Sequence, residues 1–529
     1  MQSERTSRVM RRVHSVGTEP ELLLRRALWK RGLRYVKNCA SLPGKPDIVF
    51  TKAQVAVFVD GELWHGHQWE MRNLNSLEGQ FVKSKSADYW VPKIRKTMYR
   101  DIDITHRLQE MGWRVIRLWA HDVVVSCEGC ADLVERAVWQ GDAGSKRDTL
   151  LSARTVAEFF AGIGLVRIGL QASKWRVLFA NDFDPLKVRM YSDQFSDTEQ
   201  VMSMTDVHVL SASDVPPVTI ATASFPCNDL SAAGGRLGLD GSKSSAFWGF
   251  ARVLEAMSLR PPILLVENVM GLLTTHGGSS LERVLSELNH LGYCVDVFEV
   301  DARHFVPQSR RRLFVVAAAE EVRARSGARL DVDEMSPSDT RPAPVVQFML
   351  RHPDLRWGIR RLPNLPHSEM SIASIVARTP PEECHWWSAP RVARLISQMR
   401  PTHRGRVLDL MKRDQISFAT VFRRTRQGHS AAEVRSDGVA GCLRTPRGGS
   451  AREILLELGH GCCRVRLLAP RECAALMGAE DYEISVSDNQ ALFGFGDAVC
   501  VPVISWIAQN YLDPLIADSI RGTILGGGI

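Results

Sequence analysis

The chain has 529 residues, 45% of them hydrophobic and 24% charged, with 67 Lys and Arg against 59 Asp and Glu for a net charge of +8. That length is too great for one hydrophobic core and predicts two or three domains. The composition excludes a disordered or fibrous chain, and no apolar run reads as long enough to span a bilayer. The pI near 9.0 favours a polyanionic partner. The opening stretch, MQSERTSRVMRRVHSVG, is basic without the apolar segment of a secretory signal, so a cytoplasmic protein is expected. The 11 cysteines are odd in number and scattered. Cys127 and Cys130 form a CxxC with no second pair at zinc spacing, and most of the thiols read as buried and reduced.

In chain order, Thr18-Glu19-Pro20-Glu21 before LLLRRALWKRGL predicts a capped amphipathic helix. Pro46–Phe50 and Val55–Val59 read as two short buried strands, and Trp113–Trp119 as a third, preceded by a helix that carries Asp101. This is a small α/β unit, expected over residues 1–140. The polar, glycine-bearing segment from Gly141 predicts a linker over 141–153. Apolar strands then recur at Thr155–Phe160, Val177–Ala180, Thr219–Ala223, Ile263–Val266 and Leu313–Ala318, separated by helix-compatible stretches. Such alternation predicts an α/β domain with a mainly parallel sheet. Residues 321–460, rich in Arg and Pro, read as a basic, loop-rich domain. Apolar order resumes over 461–515, and 516–529 reads as a floppy tail.

Chemistry-bearing residues gather where the second set of strands ends. Glu158-Phe-Phe-Ala-Gly162-Ile-Gly164 follows a strand and opens a helix, and Asp182 ends the next strand about twenty residues on. Glycines that admit a ligand to the backbone, followed by an acid for ribose hydroxyls, make a nucleoside site. Ser224-Phe225-Pro226-Cys227, Glu267-Asn268-Val269 and Gln308-Ser-Arg310-Arg311-Arg312 flank three further strands. A thiol, a carboxyl and guanidinium groups at neighbouring strand ends are hard to explain as packing.

In these motifs and their order, residues 154–512 resemble the DNA cytosine-5 methyltransferase family. The resemblance implies a Rossmann-like sheet that binds S-adenosylmethionine and a basic target-recognition domain over 321–460. It assigns Phe160, Gly162 and Gly164 to the cofactor loop. Asp182 matches the ribose acid, Phe183 the adenine-packing ring and Asp206 the acid at the adenine amino group. Pro226 and Cys227 match the nucleophile motif, Glu267 the acid that holds the target base, and Gln308, Arg310 and Arg312 the basic motif beside the nucleophile. Arg466–Ala474 and Gly494–Val499 match the last two motifs. A thiol with a pKa near 8.5 needs help to ionise, which Arg310 and Arg312 supply in this reading. Burial raises the pKa of Glu267, so that it donates to ring nitrogen 3 of a cytosine flipped out of the stack. Two departures stand out: Asp497 where Asn is usual and Asn228 where Gln is usual. Gly441-Cys442-Leu443-Arg444 resembles an element where Thr-Leu is usual. Gln308, Arg444 and Arg447 are the expected DNA contacts, most of such arginines reading phosphate rather than bases.

Residues 4–122 resemble the very-short-patch-repair (Vsr) endonucleases, which nick beside thymine in T:G mismatches. The resemblance rests on Ser41–Asp47, Phe58–Gly66, Tyr89–Ile94 and Arg107–Val115, and implies a small restriction-endonuclease-like fold. By carry-over, Asp47 is the principal magnesium ligand with the Val59 carbonyl. His65 assists the water, and Glu21, Asp60 and Asp101 support. Glu62 and Trp69 stand where many relatives place zinc-binding thiols, so no zinc is expected, and packing of Trp64, Trp69 and Trp90 is the expected brace. Duplex DNA is the implied partner, with mismatch-repair proteins as further partners, a monomeric chain, no membrane contact and a bacterial, nucleoid-associated location. The competing readings are a methyltransferase whose amino-terminal domain only binds DNA, a fused restriction–modification enzyme, a non-enzymatic DNA-binding regulator, and a transfer RNA substrate.

Overall fold

The computed structural model describes residues 17–72, 74, 76–82, 87–226, 245–326, 330–378, 385–426, 429–445 and 452–526. Cys227, Asn228 and Arg447 lie outside them. The chain forms two compact units, one of Met1–Thr149 with Ile524–Ile529, the other of Leu150–Thr523.

The first unit is built on a four-stranded sheet, β1 (Val36–Lys37), β2 (Ile48–Phe50), β3 (Val55–Asp60) and β4 (Arg114–Trp119), in that order. The β1–β2 and β2–β3 pairs are antiparallel and β3–β4 is parallel. A parallel pair needs a crossover, which helix Ala87–Glu110 supplies. Strand β3 reads as a continuous apolar run because both its faces are covered. Val55 and Val57 pack with Leu24 and Leu28 of helix Glu19–Lys30, while Ala56 and Phe58 pack with Ile104 and Leu108. The helix start differs from the expected cap. Thr18 Oγ1 donates to the Glu21 carboxylate rather than accepting from the backbone, and Gly17 N–H donates there too.

The second unit holds a seven-stranded sheet, β5 (Thr155–Phe159), β6 (Arg176–Asn181), β7 (Met202–Ser203), β8 (Ile220–Ala223), β9 (Ile263–Val269), β10 (Tyr293–Asp301) and β11 (Arg311–Ala319), in the order β10-β11-β9-β8-β5-β6-β7. Every pairing is parallel except those of β11, which runs antiparallel to β9 and β10. The carboxyl ends of β5, β6, β8 and β9 therefore share one edge, the edge where ligands bind in open α/β sheets.

A third sheet, all antiparallel, joins β12 (Ser417–Arg426), β13 (His429–Arg435), β14 (Ile454–Gly459) and β15 (Cys462–Leu467) in the order β13-β12-β14-β15. It has its own core, including Leu395, Val407, Val421, Leu456 and Val465. The basic region is thus more regular than its weak periodicity suggests. The expected boundary at residue 460 falls inside the β14–β15 hairpin, whose arginines mask the strand alternation.

Three expectations are corrected. Residues 141–153 are the end of helix Cys127–Ala153 and not a loop. Gly141 and Gly144 cost about 1 kcal/mol each in a helix, too little to end one whose flanks are strong helix formers. The tail is helical from Asp513 to Gly526, with Leu515, Ile516 and Ser519 buried. The stretch Asp488–Arg521 also contains a window apolar enough to cross a membrane, at mean hydropathy 1.7, but 67% of that window is buried inside the fold. There Gly169 lies so close to the helix Val501–Ile507 that a Cβ would stand 2.6 Å from Ile504.

The end of β15 is tied to helix Pro470–Leu476 by a fully buried pair. Arg466 donates to both oxygens of Glu472 at 2.6 and 2.7 Å, and Glu472 also accepts from Ala469 N–H. Replacing Glu472 by Ala strands a buried guanidinium, so it is expected to lower unfolding free energy by about 3–5 kcal/mol. Chemical denaturation measures this, and a loss under about 1 kcal/mol contradicts the role given to the pair.

Candidate active sites

The edge formed by β5, β6, β8 and β9 opens into a cavity of about 660 Å³. Its lining includes Phe160, Gly162, Asp182, Phe183, Asp206, Pro226, Glu267, Arg310 and Arg312, residues drawn from motifs far apart in the chain. The chain turns sharply after β5 through three left-handed residues, Phe160, Gly162 and Gly164, at φ 56°, 58° and 80°. Gly164 supports this turn from below, since a Cβ there would stand 2.3 Å from the Phe195 ring. Gly162 N–H donates to one oxygen of Asp182 at 2.8 Å, and Asp184 N–H donates to the other at 2.9 Å. Burial raises the Asp182 pKa, opposed by Lys187 and these backbone donors. Phe183 is 63% exposed, a ring left without cover on the cavity wall. Asp206 accepts from His208 N–H in a tight turn. A recessed carboxylate, an open aromatic face and an approachable backbone suit a nucleoside with ribose hydroxyls.

Across the cavity the buried Glu267 carboxylate meets the Arg312 guanidinium at 3.0 Å. Burial raises its pKa, while Arg312, Arg310 and a Ser224 hydrogen bond pull it down. Its neighbour Asn268 does different work. The Asn268 amide donates to the Phe225 carbonyl at 3.1 Å, clamping the loop before Cys227 to β9. Cys227 itself lies outside the described residues, directly after the cavity-lining Pro226.

Arg310 is almost fully buried, its guanidinium spent on the carbonyls of Leu443, Gly496 and Ala498. Gln308 corrects an expectation: it has no exposed surface and so does not reach DNA. Its amide donates to Leu476 O and accepts from Leu443 N–H, fastening the 440–445 loop to the catalytic core. A polar side chain in a basic motif looks like a nucleic-acid contact in sequence, but a buried amide with two backbone partners is a clamp. Arg444 is exposed on that loop. The Asp497 departure also finds its reason. Lys187 Nζ donates to Asp497 at 2.9 Å beside the cavity. Burial opposes the ammonium charge, yet Asp497 and Asp182 hold its pKa above the usual value. Sequence reading passed over Lys187 because a lysine in an exposed-looking helix carries no signal alone.

In the first unit, Asp47 stands beside β3, one of its oxygens accepting from Val59 N–H at 2.8 Å. Burial, with Glu21 and Asp60 nearby, pushes its pKa up to about 6 against the pull of the Val59 N–H and Arg25. Glu21 and the Asp47 carbonyl are both held by Arg25, at 3.2 and 2.9 Å. His65 Nδ1 lies 2.5 Å from Asp101 and 3.4 Å from Asp60. Arg117 forks onto both oxygens of Asp60 at 2.7 and 3.0 Å and approaches Asp101 at 3.4 Å. Arg117 was missed in the sequence, although a cation within the strand RVIRLW was a readable anomaly. Among the described residues no group of three or more His, Cys, Asp or Glu is arranged to hold a metal ion. Asp60 and Asp101 are committed to Arg117 and His65, which leaves Asp47 as the carboxylate whose burial outweighs its compensation. Magnesium commonly takes only one or two carboxylates, completing its shell with water and phosphate, so this donor set fits it.

The loop after β3 is held by hydrogen bonds and ring contacts. Glu62 accepts from the His121 N–H, and its carbonyl accepts from His67 and Gln68 N–H at 2.8 and 3.1 Å. The His67 ring stacks on Trp119 at 4.3 Å. Of the three tryptophans expected to brace it, Trp64 meets Trp90 edge-on at 5.5 Å.

Residues 154–513 match the family described as C-5 cytosine-specific DNA methylase, and residues 1–71 match the family described as DNA mismatch endonuclease Vsr. The Type II nicking enzyme V.NmeDIP of Neisseria meningitidis serogroup C is 43% identical over 146 residues, 28% of this chain and 94% of that protein. The Type II methyltransferase M.NlaX of Neisseria lactamica is 27% identical over 371 residues, 69% of this chain and 98% of that protein. The Type II methyltransferase M.DsaV of Dactylococcopsis salina is 27% identical over 357 residues, 67% of this chain and 85% of that protein.

The raised pKa of Asp47 has a stability consequence. The folded unit keeps its proton up to about pH 6, whereas the unfolded chain releases it near 3.8. Stability without a divalent cation therefore falls as pH rises from about 4 to about 6. Asp47→Asn is expected to raise the thermal midpoint of that transition at pH 7 in chelator; a midpoint at or below that of the unsubstituted protein contradicts the burial argument.

Proposed function

We propose, for a chain that belongs to the C-5 cytosine-specific DNA methylase family and carries a Vsr mismatch endonuclease domain at its amino end, that both activities act on one duplex DNA sequence. One unit methylates cytosine there, and the other nicks the T:G mismatch that deamination of 5-methylcytosine leaves. The observation that carries the methyl-transfer reading is the single cavity, in which the nucleoside-binding features and the Glu267–Arg312 pair face the same space.

In this reading Asp182 holds the ribose of S-adenosylmethionine, Phe183 packs on its adenine and Asp206 meets the adenine amino group. The cofactor, when bound, supplies an electrophilic methyl group. The Cys227 thiolate adds to carbon 6 of a cytosine flipped from the stack, which makes carbon 5 a nucleophile for the methyl group; loss of the carbon 5 proton to a base then expels the thiolate and restores the ring. Glu267, whose pKa burial raises, is the proposed proton donor to ring nitrogen 3 as negative charge gathers there. Arg312 orients that carboxyl. Asn268 holds the Phe225 carbonyl and so the approach of the thiol. The role of Arg310 is indirect, since both its terminal nitrogens donate to backbone carbonyls, of Leu443, Gly496 and Ala498.

In the amino-terminal unit Asp47 and the Val59 carbonyl are the proposed magnesium ligands. When bound, the ion supplies charge stabilisation at the scissile phosphate. His65, oriented by Asp101 and Asp60, takes a proton from the attacking water. Arg117 neutralises the acids that orient His65.

Each activity is separable by substitution. Cys227→Ser is expected to abolish methylation, read by bisulfite sequencing of DNA from expressing cells, and to leave T:G nicking unchanged. Asp47→Asn is expected to abolish magnesium-dependent nicking of T:G duplexes at the methylated sequence and to leave methylation unchanged. Nicking by the Asp47 variant, or double-strand cleavage of matched unmethylated duplexes by the unsubstituted protein, contradicts the repair reading.

A further inference from the structure

A cavity that takes S-adenosylmethionine must place three arms around one sulfonium. The nucleoside arm falls to Asp182, Phe183 and Asp206, and the methyl group to the wall of Pro226 and Glu267. The third arm ends in an α-carboxylate. A carboxylate taken out of water needs a cationic or N–H partner. Of the lysine and arginine side chains that line the cavity among the described residues, Arg310 gives its terminal nitrogens to backbone carbonyls and Arg312 meets Glu267. The other is Lys187.

Lys187 stands where helix stability would not put it. It lies in the first turn of helix Pro185–Gln194, a turn that holds no acidic residue, and a cation there opposes the helix dipole. Its side chain is only 23% exposed, and Nζ donates to Asp497 at 2.9 Å. Asp497 ends a second helix, Asp488–Asp497, and lines the same cavity. The two helices approach closely, since a Cβ on Gly494 would stand 3.0 Å from the Met190 sulfur. The Asn usual where Asp497 stands has no charge with which to hold an ammonium.

We propose that Lys187 is a specificity-determining residue for the cofactor: its ammonium, held by Asp497, takes the α-carboxylate on the amino-acid arm of S-adenosylmethionine. The proposal rests on the reading of this cavity as the cofactor site. An ammonium has three N–H bonds, so the one given to Asp497 leaves others for a second carboxylate. Burial opposes the charge on Lys187, while Asp497, Asp182 and Asp184 hold its pKa above the ordinary value.

The experiment is titration calorimetry on the full chain with two nucleosides that differ only in the carboxylate. One is S-adenosylhomocysteine. The other is S-adenosyl-3-thiopropylamine, measured by displacement of the first where it binds weakly. The unsubstituted protein is expected to prefer S-adenosylhomocysteine by at least about tenfold, as a charge-assisted hydrogen bond provides. Lys187→Met is expected to lose at least about tenfold in affinity for S-adenosylhomocysteine and to bind the amine no more weakly than before. Lys187→Gln carries the same test if the methionine variant binds neither. A lysine that only braced the two helices would lower both affinities together. Equal losses for both nucleosides, or no loss for S-adenosylhomocysteine, overturn the proposal, as does an unsubstituted protein without the preference. An unsubstituted protein that binds neither nucleoside overturns instead the cofactor reading beneath it.

Discussion

The antiparallel pairing of β11 against β9 is the constraint on which the methyl-transfer site depends. Its register sets Phe314 opposite Glu267 and Arg312 opposite Val269. Residues two apart on paired strands share a face, and long side chains on the diagonal can touch. The one reversed strand in an otherwise parallel sheet therefore delivers a guanidinium to the carboxyl at the end of its neighbour. The parallel strands β5, β6 and β8 bring the remaining groups to the same edge without any such pairing, because their carboxyl ends coincide.

Around that pair the molecule uses buried polar contacts as fasteners. Gln308, Arg310, Asn268 and the Arg466–Glu472 pair each tie a loop or helix to the sheet through carbonyls, amides or a buried carboxylate. Such groups are costly to bury unless every partner is present, which makes them specific about where a loop sits. The 440–445 loop shows the effect most clearly. It belongs to the basic region yet is held by the catalytic sheet, so the sulfur of Cys442 is positioned by the same contacts that dock the region. The nuclease cluster follows another logic. There Asp60 and Asp101 are neutralised by Arg117 and oriented toward His65, while burial raises the pKa of Asp47 against the pull of Val59 N–H and Arg25.

Much of this was legible in the sequence because chemistry-bearing residues stood at the ends of apolar strands. Asp182, Pro226, Glu267 and Arg312 all line the cavity that the motif order implied. Asp47, His65 and Asp101 likewise came from acids and an imidazole placed around short buried strands. What was hidden depends on partners distant in the chain. Gln308 reads as a nucleic-acid contact until Leu476 and Leu443 are seen to take both ends of its amide. Asp497 reads as a departure until Lys187, 310 residues away, is found beside it. The 141–153 segment carried glycine signals of a loop, but helical neighbours on both sides outweighed them. The strands of the basic region were obscured because arginines stand at positions where alternation would show.

The most direct test of the account is whether Cys227 bonds to the cytosine ring. A duplex carrying 5-fluorocytosine at the target position blocks loss of the carbon 5 substituent after methyl transfer, so the adduct persists. The account predicts a denaturation-resistant complex that forms only with S-adenosylmethionine present, maps by mass spectrometry to the peptide containing Cys227, and is absent in Cys227→Ser. A persistent adduct on another residue, or full methylation by the serine variant, would contradict it.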